Sequence, residues 1–202
     1  MSIQNRIKNV LRGVRQRWGS SNMKRRLWNQ EFTSGRWESL DSTPGDIVYH
    51  YVEKYCRGGC ILDLGCGSGN TGCELNAQKY THYTGVDISD VALEKARWRT
   101  QACQRGKLNQ YLQSDVAAYV PNQKYDVILF RESIYYIPLQ RTASTLGRYA
   151  HHLREGGVFI VRWHDARISE DLMDCIQNNF VIVERSFLGP TGPLVLVFRP
   201  AA

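Results

Sequence analysis

Residues 60 to 75 read Cys-Ile-Leu-Asp-Leu-Gly-Cys-Gly-Ser-Gly-Asn-Thr-Gly-Cys-Glu-Leu. The apolar run Ile61 to Leu64 has the character of a buried strand. It breaks into Gly65, Gly67 and Gly69, after which Asn70 or Thr71 is suited to open a helix. A strand that ends in a glycine turn and feeds a helix N-terminus presents bare backbone N–H groups to a ligand. Glycine is needed there because a Cβ would block close approach or forbid the positive φ angles of the turn. Asp63, a carboxylate inside the strand just ahead of the turn, bears on which ligand that is.

Two ligand classes compete for the loop. Gly67-Ser68-Gly69-Asn70-Thr71-Gly72 satisfies G-x-G-x-x-G, the dinucleotide fingerprint. Read from Asp63, the same stretch is D-x-G-x-G-x-G and resembles motif I of the class I S-adenosylmethionine (SAM) methyltransferases. A pyrophosphate would be repelled by an acid two residues ahead of the first glycine. The methionine end of SAM carries an ammonium and a sulfonium, which a carboxylate attracts.

Further acids follow at the ends of later strands. Tyr83-Thr84-Gly85-Val86-Asp87-Ile88 predicts a second strand ending in an acid about 20 residues past the glycines, where ribose hydroxyls are met. Both ligand classes predict Asp87, since one carboxylate accepts from two vicinal hydroxyls. Asp115 closes a third strand-like run, Tyr-Leu-Gln-Ser-Asp. Taken alone it is also a helix N-cap. In series with Asp63 and Asp87, the resemblance implies that it accepts from the adenine amino group, with the Val116 N–H meeting a ring nitrogen.

Tyr125 to Phe130 predicts a buried fourth strand. Leu153 to Val161 resembles the helix end, Gly-Gly turn and fifth strand of the same enzymes, which puts His151 and His152 on a helix ending at Glu155. Phe180 to Leu188 and Leu194 to Phe198 are two more β-rich runs around a Gly-Pro-rich turn, Gly189 to Pro193. The resemblance covers roughly Thr43 to Arg199. It implies an α/β, Rossmann-like doubly wound sheet of about seven strands, mostly parallel with an antiparallel last strand.

A chain of 202 residues suits one compact α/β domain. No window approaches the roughly 18 apolar residues of a membrane span, and the N-terminus lacks the apolar core and cleavage site of a secretory signal. The six cysteines have no C-x-x-C spacing, so a cytoplasmic setting is favoured and a zinc site is not. The net charge of +7 is unevenly placed. Residues 1–26 hold eight basic residues and no acid, leaving 18 basic against 19 acidic residues in 27–202. The chain thus divides into a basic N-terminal extension, 1–26, and a methyltransferase domain, 27–202, with 27–42 as a lid.

In the extension, Ile3, Ile7, Val10, Leu11, Val14 and Trp18 recur at intervals of three and four, lining one face of a helix whose other faces are basic. Such a helix suits an anionic membrane surface. Packing on the domain, a nucleic-acid arm and an organelle transit peptide are the other readings. Nucleic acid is the weaker partner, because no basic stripe continues beyond the extension.

The lid segment Glu31-Phe32-Thr33-Ser34-Gly35-Arg36-Trp37 precedes a helix opening near Thr43-Pro44. Phe32 and Trp37 are either shields for a sulfonium or core aromatics. At the end of the fourth strand stand Phe130-Arg131-Glu132-Ser133-Ile134-Tyr135-Tyr136, where open α/β sheets bind ligands. A carbonyl at Phe130 or Arg131 is placed to accept from the ammonium of the cofactor. Glu132 is a general base, a holder of a cationic acceptor, or half of a structural ion pair with Arg131. Tyr135 and Tyr136 form a polar aromatic wall. His164, at the end of the fifth strand, has an unperturbed pKa suited to deprotonating a hydroxyl, while adjacent Asp165 faces the other way on an extended strand.

Cofactor contacts are therefore expected from Asp63, Gly65, Cys66, Gly67, Asn70, Asp87, Ile88, Asp115, Val116, Phe130, Arg131 and Trp37, and catalytic roles from Glu132, His164 and Tyr135. The compact size and the Glu-Phe-x-Ser-Gly-Arg-Trp segment resemble small bacterial methyltransferases of glycan or secondary-metabolite pathways, implying methyl transfer to an O or N atom of such an acceptor. Three rivals remain. An NAD-dependent oxidoreductase conflicts with Asp63 and the closing hairpin. A nucleic-acid methyltransferase lacks its Asn/Asp-Pro-Pro-aromatic stretch here. A non-catalytic subunit of this fold should show a damaged glycine loop or acid series.

Overall fold

The computed structural model describes residues 3–38, 42–164, 170–187, 189 and 192–201, with side chains described from residue 10 onward. Three helices come first: α1 (Ile3–Trp18), α2 (Ser21–Thr33) and α3 (Ile47–Cys56). Then follow β1 (Cys60–Leu64), α4 (Asn70–Glu74), β2 (His82–Asp87), α5 (Asp90–Ala102), β3 (Asn109–Gln113) and β4 (Tyr125–Arg131). The chain continues through α6 (Leu139–Ala150), β5 (Leu153–Trp163), α7 (Glu170–Asn179), β6 (Phe180–Phe187) and β7 (Leu194–Pro200).

One seven-stranded sheet has the order β3-β2-β1-β4-β5-β7-β6. The pairs among β1 to β5 are parallel, and β7 runs antiparallel to both of its neighbours. A strand buried on both faces reads as a near-continuous apolar run, and β1, buried throughout and interrupted only by Asp63, lies mid-sheet. Edge strand β6 instead alternates half-buried and exposed residues, as expected of a strand covered on one face. Leu62 and Leu64 of β1 join the core beneath α6 and α7. Ile61 joins the opposite core with α3 and α5 residues. The strand order reverses between β1 and β4, which opens a crevice at their carboxyl ends.

Three local expectations are corrected. The helix expected at Thr43-Pro44 starts at Ile47, because Thr43-Pro44-Gly45-Asp46 is a turn: Gly45 has φ +79° and Asp46 N–H donates to Thr43 O at 3.1 Å. Proline followed by a positive-φ glycine is type II turn chemistry. Asp46 then caps α3, its Oδ1 accepting from Val48 N–H at 3.1 Å. The helix expected to run to Glu155 stops at Ala150. His151 and His152 lie past its end, and Leu153 to Glu155 already belong to β5, which continues through Gly156 (φ +73°) with an irregularity in its register against β4. The capping residue before α4 is Gly69, at φ +75°, rather than Asn70 or Thr71.

The N-terminus is a pair of helices joined at Gly19-Ser20, with the Ser20 side chain accepting from Met23 N–H. The expected boundary after residue 26 falls inside α2, so the basic extension and the expected lid share one helix. Ile3, Ile7, Asp165 and the middle of the expected 189–193 turn lie outside the residues described at side-chain level.

Candidate functional site

The glycine loop is built by its own backbone. Gly65 and Cys66 N–H groups both donate to Val86 O, at 2.8 and 3.1 Å, tying the loop to the end of β2. Gly65, Gly67 and Gly69 have φ of +83°, +53° and +75°. A Cβ on Gly65 would come within 2.5 Å of Ser133 Cβ, and one on Gly69 within 2.7 Å of Ala96 Cβ. Asp87 holds the loop in place: Oδ2 accepts from Gly67 N–H at 2.9 Å and Oδ1 from Ser89 N–H at 2.8 Å. Each carboxylate oxygen keeps a second lone pair for a ligand. Burial pushes the Asp87 carboxyl up, opposed by the N–H groups of Ser89 and Gly67.

Asp63 is 1% exposed. Its Oδ2 accepts from Tyr83 O–H at 2.5 Å, whereas Oδ1 is buried without a hydrogen-bond partner. Burial pushes its carboxyl up to about 6, with the Tyr83 hydroxyl and the charge of Arg131 acting in the other direction. A buried carboxylate oxygen with no donor is an unmet need. Asp63 also lines the pocket above the glycine loop.

Arg131, expected as a cofactor contact, is anchored through both Nη groups, while its Nε is buried without a hydrogen-bond partner. Its Nη2 donates to Thr43 Oγ1 (2.7 Å) and Asp46 Oδ2 (3.0 Å). Its Nη1 reaches Asn70 Oδ1 (3.3 Å) and Thr71 Oγ1 (3.4 Å). Arg131 pairs with Asp46, so the structural-pair alternative with Glu132 is not met; Glu132 is taken by Arg162 of the adjacent strand. Arg162 in turn reaches Asp46 Oδ2 at 3.2 Å, so one capping aspartate bridges both arginines.

Glu132 lies in the left-handed region at φ +55°, a strained position for a residue with a Cβ. Its Oε2 accepts from Tyr135 O–H at 2.9 Å and faces His164 Nδ1 at 3.1 Å. His164 is 63% exposed at the side chain, whereas Glu132 is 11% exposed. Burial, then the neighbouring Glu132 charge, pushes the Tyr135 hydroxyl well up, so it stays protonated and donates.

The pocket at the crevice is walled by Asp63, Gly65, Cys66, Gly67, Asn70, Asp87, Ile88, Asp115, Val116, Arg131, Glu132 and Trp37, twelve of the expected residues. Phe130 is not on the wall; its ring is fully buried and packs edge-on to Tyr149. Tyr135 and His164 stand just behind Glu132 rather than on the wall itself.

Phe32, Trp37 and Tyr136, expected over the cofactor or as an aromatic wall, also line the pocket, but sequence reasoning passed over the rest of the roof. Gln16 of α1, Lys24 and Trp28 of α2, and Ile137 and Pro138 before α6 line it as well. Trp28 stacks edge-on to Tyr136 at 4.8 Å and tilts against Trp37 at 5.9 Å. Trp37 Nε1–H donates to Glu31 Oε2 at 3.0 Å, and Glu31 also pairs with Arg12. Asp115, expected at adenine, accepts from Ser21 Oγ–H (3.0 Å) and Lys24 Nζ–H (3.3 Å) through Oδ2. Its Oδ1 accepts from Ala117 N–H at 3.0 Å, which closes a turn; no helix follows it, so the helix N-cap reading is not met. The i, i+4 spacing of Trp28 and Phe32 signalled that they share a face; nothing in the sequence marked Gln16.

Residues 62–159 match a methyltransferase domain family. The carboxy-S-adenosyl-L-methionine synthase of Desulfotalea psychrophila is 31% identical over 104 residues, 50% of this chain and 42% of that protein. The trans-aconitate 2-methyltransferase of Enterobacter sp. is 34% identical over 79 residues, 39% of this chain and 29% of that protein. The matched part thus spans less than half the length of these curated relatives. Among solved structures, N-methyltransferase NodS from Bradyrhizobium japonicum, in complex with S-adenosyl-L-homocysteine (SAH), superposes with a TM-score of 0.68 at 18% identity, covering 88% of this chain and 98% of that one. An S-adenosylmethionine-dependent methyltransferase from Clostridium acetobutylicum gives 0.67 at 16% identity, covering 86% and 99%. Residues 62–159 thus match a methyltransferase domain family, and the seven-stranded sheet that contains them has the fold of the class I S-adenosylmethionine-dependent methyltransferases.

Proposed function

We propose that the protein transfers a methyl group from SAM to an O or N atom of a small-molecule or glycan acceptor. The observation that carries this reading is the convergence of Asp63, Asp87 and Asp115 on one pocket over a glycine loop whose Cβ positions are filled or strained. The residues fit the cofactor. The free Asp63 Oδ1 suits a cationic methionine end, the spare lone pairs of Asp87 suit a ribose, and Asp115 with Val116 suits adenine. When bound, SAM supplies a methyl group already activated by its sulfonium.

The chain's own task is alignment and exclusion of water. The aromatic roof of Trp28, Phe32, Trp37 and Tyr136 supports exclusion. Glu132, committed to Arg162, Tyr135 and His164, is read as a positioning residue that fixes the His164 ring. With Nδ1–H donated to Glu132, His164 Nε2 is the free base for an acceptor hydroxyl. Contact of residues 1–20 with an anionic membrane belongs to the same reading and suits a lipid-linked glycan, as does a cytoplasmic setting. Among the described residues no helix is long and apolar enough to cross a membrane.

Asp87→Ala and His164→Ala separate the two halves of the proposal. The first abolishes SAM binding in calorimetry; the second leaves it intact and lowers tritiated-methyl transfer to cell-extract acceptors by about 10²–10⁴-fold. Normal SAM affinity in Asp87→Ala would overturn the nucleoside assignment.

A further inference from the structure

Helix α1 has two unlike faces. Gln16 is 6% exposed on the pocket wall, and its Nε2 has no hydrogen-bond partner. Arg12 pairs with Glu31 of α2, and Arg17 Nε–H donates to Tyr135 O at 3.1 Å, which fixes α1 over the mouth. On the outward side Val10, Leu11, Val14 and Trp18 are 66%, 51%, 51% and 54% exposed. Exposed Arg15 and Arg17 flank this stripe, and the Arg141 guanidinium lies 5.6 Å from the Trp18 ring.

We infer that this outward face docks on an anionic lipid surface, and that docking and filling of the cofactor pocket favour the same state. The charge says which partner: residues 1–26 hold eight basic residues and no acid, while the rest of the chain is balanced. The apolar stripe narrows it further, since valine and leucine gain nothing from a phosphate backbone but gain from an acyl boundary. Trp18 has the apolar body and polar edge of an interfacial anchor.

The coupling follows from geometry. The stripe is already exposed while the inward face of α1 roofs the pocket, so docking needs no opening. A surface that holds α1 in place therefore stabilises the roofed form, and a ligand beneath the roof does the same. Two ligands that favour one state strengthen each other by the same factor. This inference rests on the cofactor reading above.

The test uses the full chain, SAH as the pocket probe, and two kinds of vesicle, phosphatidylcholine alone and a mixture with phosphatidylglycerol. Co-sedimentation with the anionic vesicles is expected, lost at high salt and absent with phosphatidylcholine alone. SAH affinity should rise at least threefold with the anionic vesicles. The double variant Val14→Asp, Trp18→Ser should keep its vesicle-free SAH affinity and lose both vesicle effects. Equal binding to both vesicle types, binding retained by the variant, or capture of an RNA oligonucleotide in place of vesicles would overturn the docking. Vesicle binding with unchanged SAH affinity would overturn the coupling. Absence of SAH binding in the vesicle-free titration would instead fail the cofactor reading, with sedimentation still reporting on docking.

Discussion

Protonation of Asp63 should control cofactor affinity. Asp63 is 1% exposed, and burial pushes its carboxyl up to about 6 from the ordinary aspartate value of 3.8. The cause is chiefly burial, which the Tyr83 hydrogen bond and the charge of Arg131 offset only in part. A cationic methionine end beside Oδ1 favours the ionised carboxylate, so binding should release a proton between about pH 4 and 6. Apparent SAM affinity should then be flat above pH 7, about twofold weaker at pH 6 and about tenfold weaker at pH 5. Asp63→Asn keeps the shape and removes the charge. It should cost about 2 kcal/mol at neutral pH, roughly thirtyfold in affinity, and flatten the profile, apart from any slope contributed by Asp87.

The sign for stability is opposite. The folded apo chain holds this proton more tightly than the unfolded chain. Its contribution is therefore fully present below about pH 4 and is lost as pH rises through about 6, by about 3 kcal/mol. Asp63→Asn should remove that decline. Isothermal titration from pH 5 to 8 in two buffers of different ionisation enthalpy counts the released protons directly. A flat wild-type profile, or an undiminished slope in Asp63→Asn, would refute the assignment of the proton to Asp63.

Gly69→Ala places a Cβ 2.7 Å from Ala96 Cβ at φ +75°; overpacking and backbone strain should together cost about 2–5 kcal/mol, read as a lowered denaturant midpoint. The Cys73–Cys103 disulfide ties α4 to the end of α5 across 30 residues. Replacing both cysteines with serine should lower stability by about 3–4 kcal/mol on the chain-entropy account, and dithiothreitol should shift the wild-type midpoint to the same place. In a reducing cytoplasm, where such bridges are rare, α4 would be held by packing alone.

Much of this molecule is local in the sequence. The strand–turn–helix at Cys60 to Leu75 needs only a run of apolar residues and glycines at positive φ. The acids at 63, 87 and 115 mark successive strand ends because chain direction and strand length place them there. Thr43-Pro44-Gly45-Asp46 was equally readable as a turn, yet proline's tolerance in a first helical turn suggested the wrong side of the boundary. The disulfide joins cysteines with no motif spacing, so only the packing of α4 against α5 reveals it.

Other features depend on which elements end up side by side. Arg131 and Glu132 are adjacent in sequence and look like partners. Pairing of β4 with β5 brings Arg162 to Glu132 instead, and the α3 cap brings Asp46 to Arg131. His164 and Glu132 are 32 residues apart and meet through the same parallel register. The helix period of α1 fixed which residues share a face, but not which face looks inward; that was decided by Glu31, Tyr135 and the pocket beneath. The sequence by itself determined the sheet, the glycine loop and the acid series, because these follow from short-range pattern. Tertiary structure alone brought α1 and Trp28 into the roof and chose the partners of each charge, because burial selects among contacts that the chain leaves equally open.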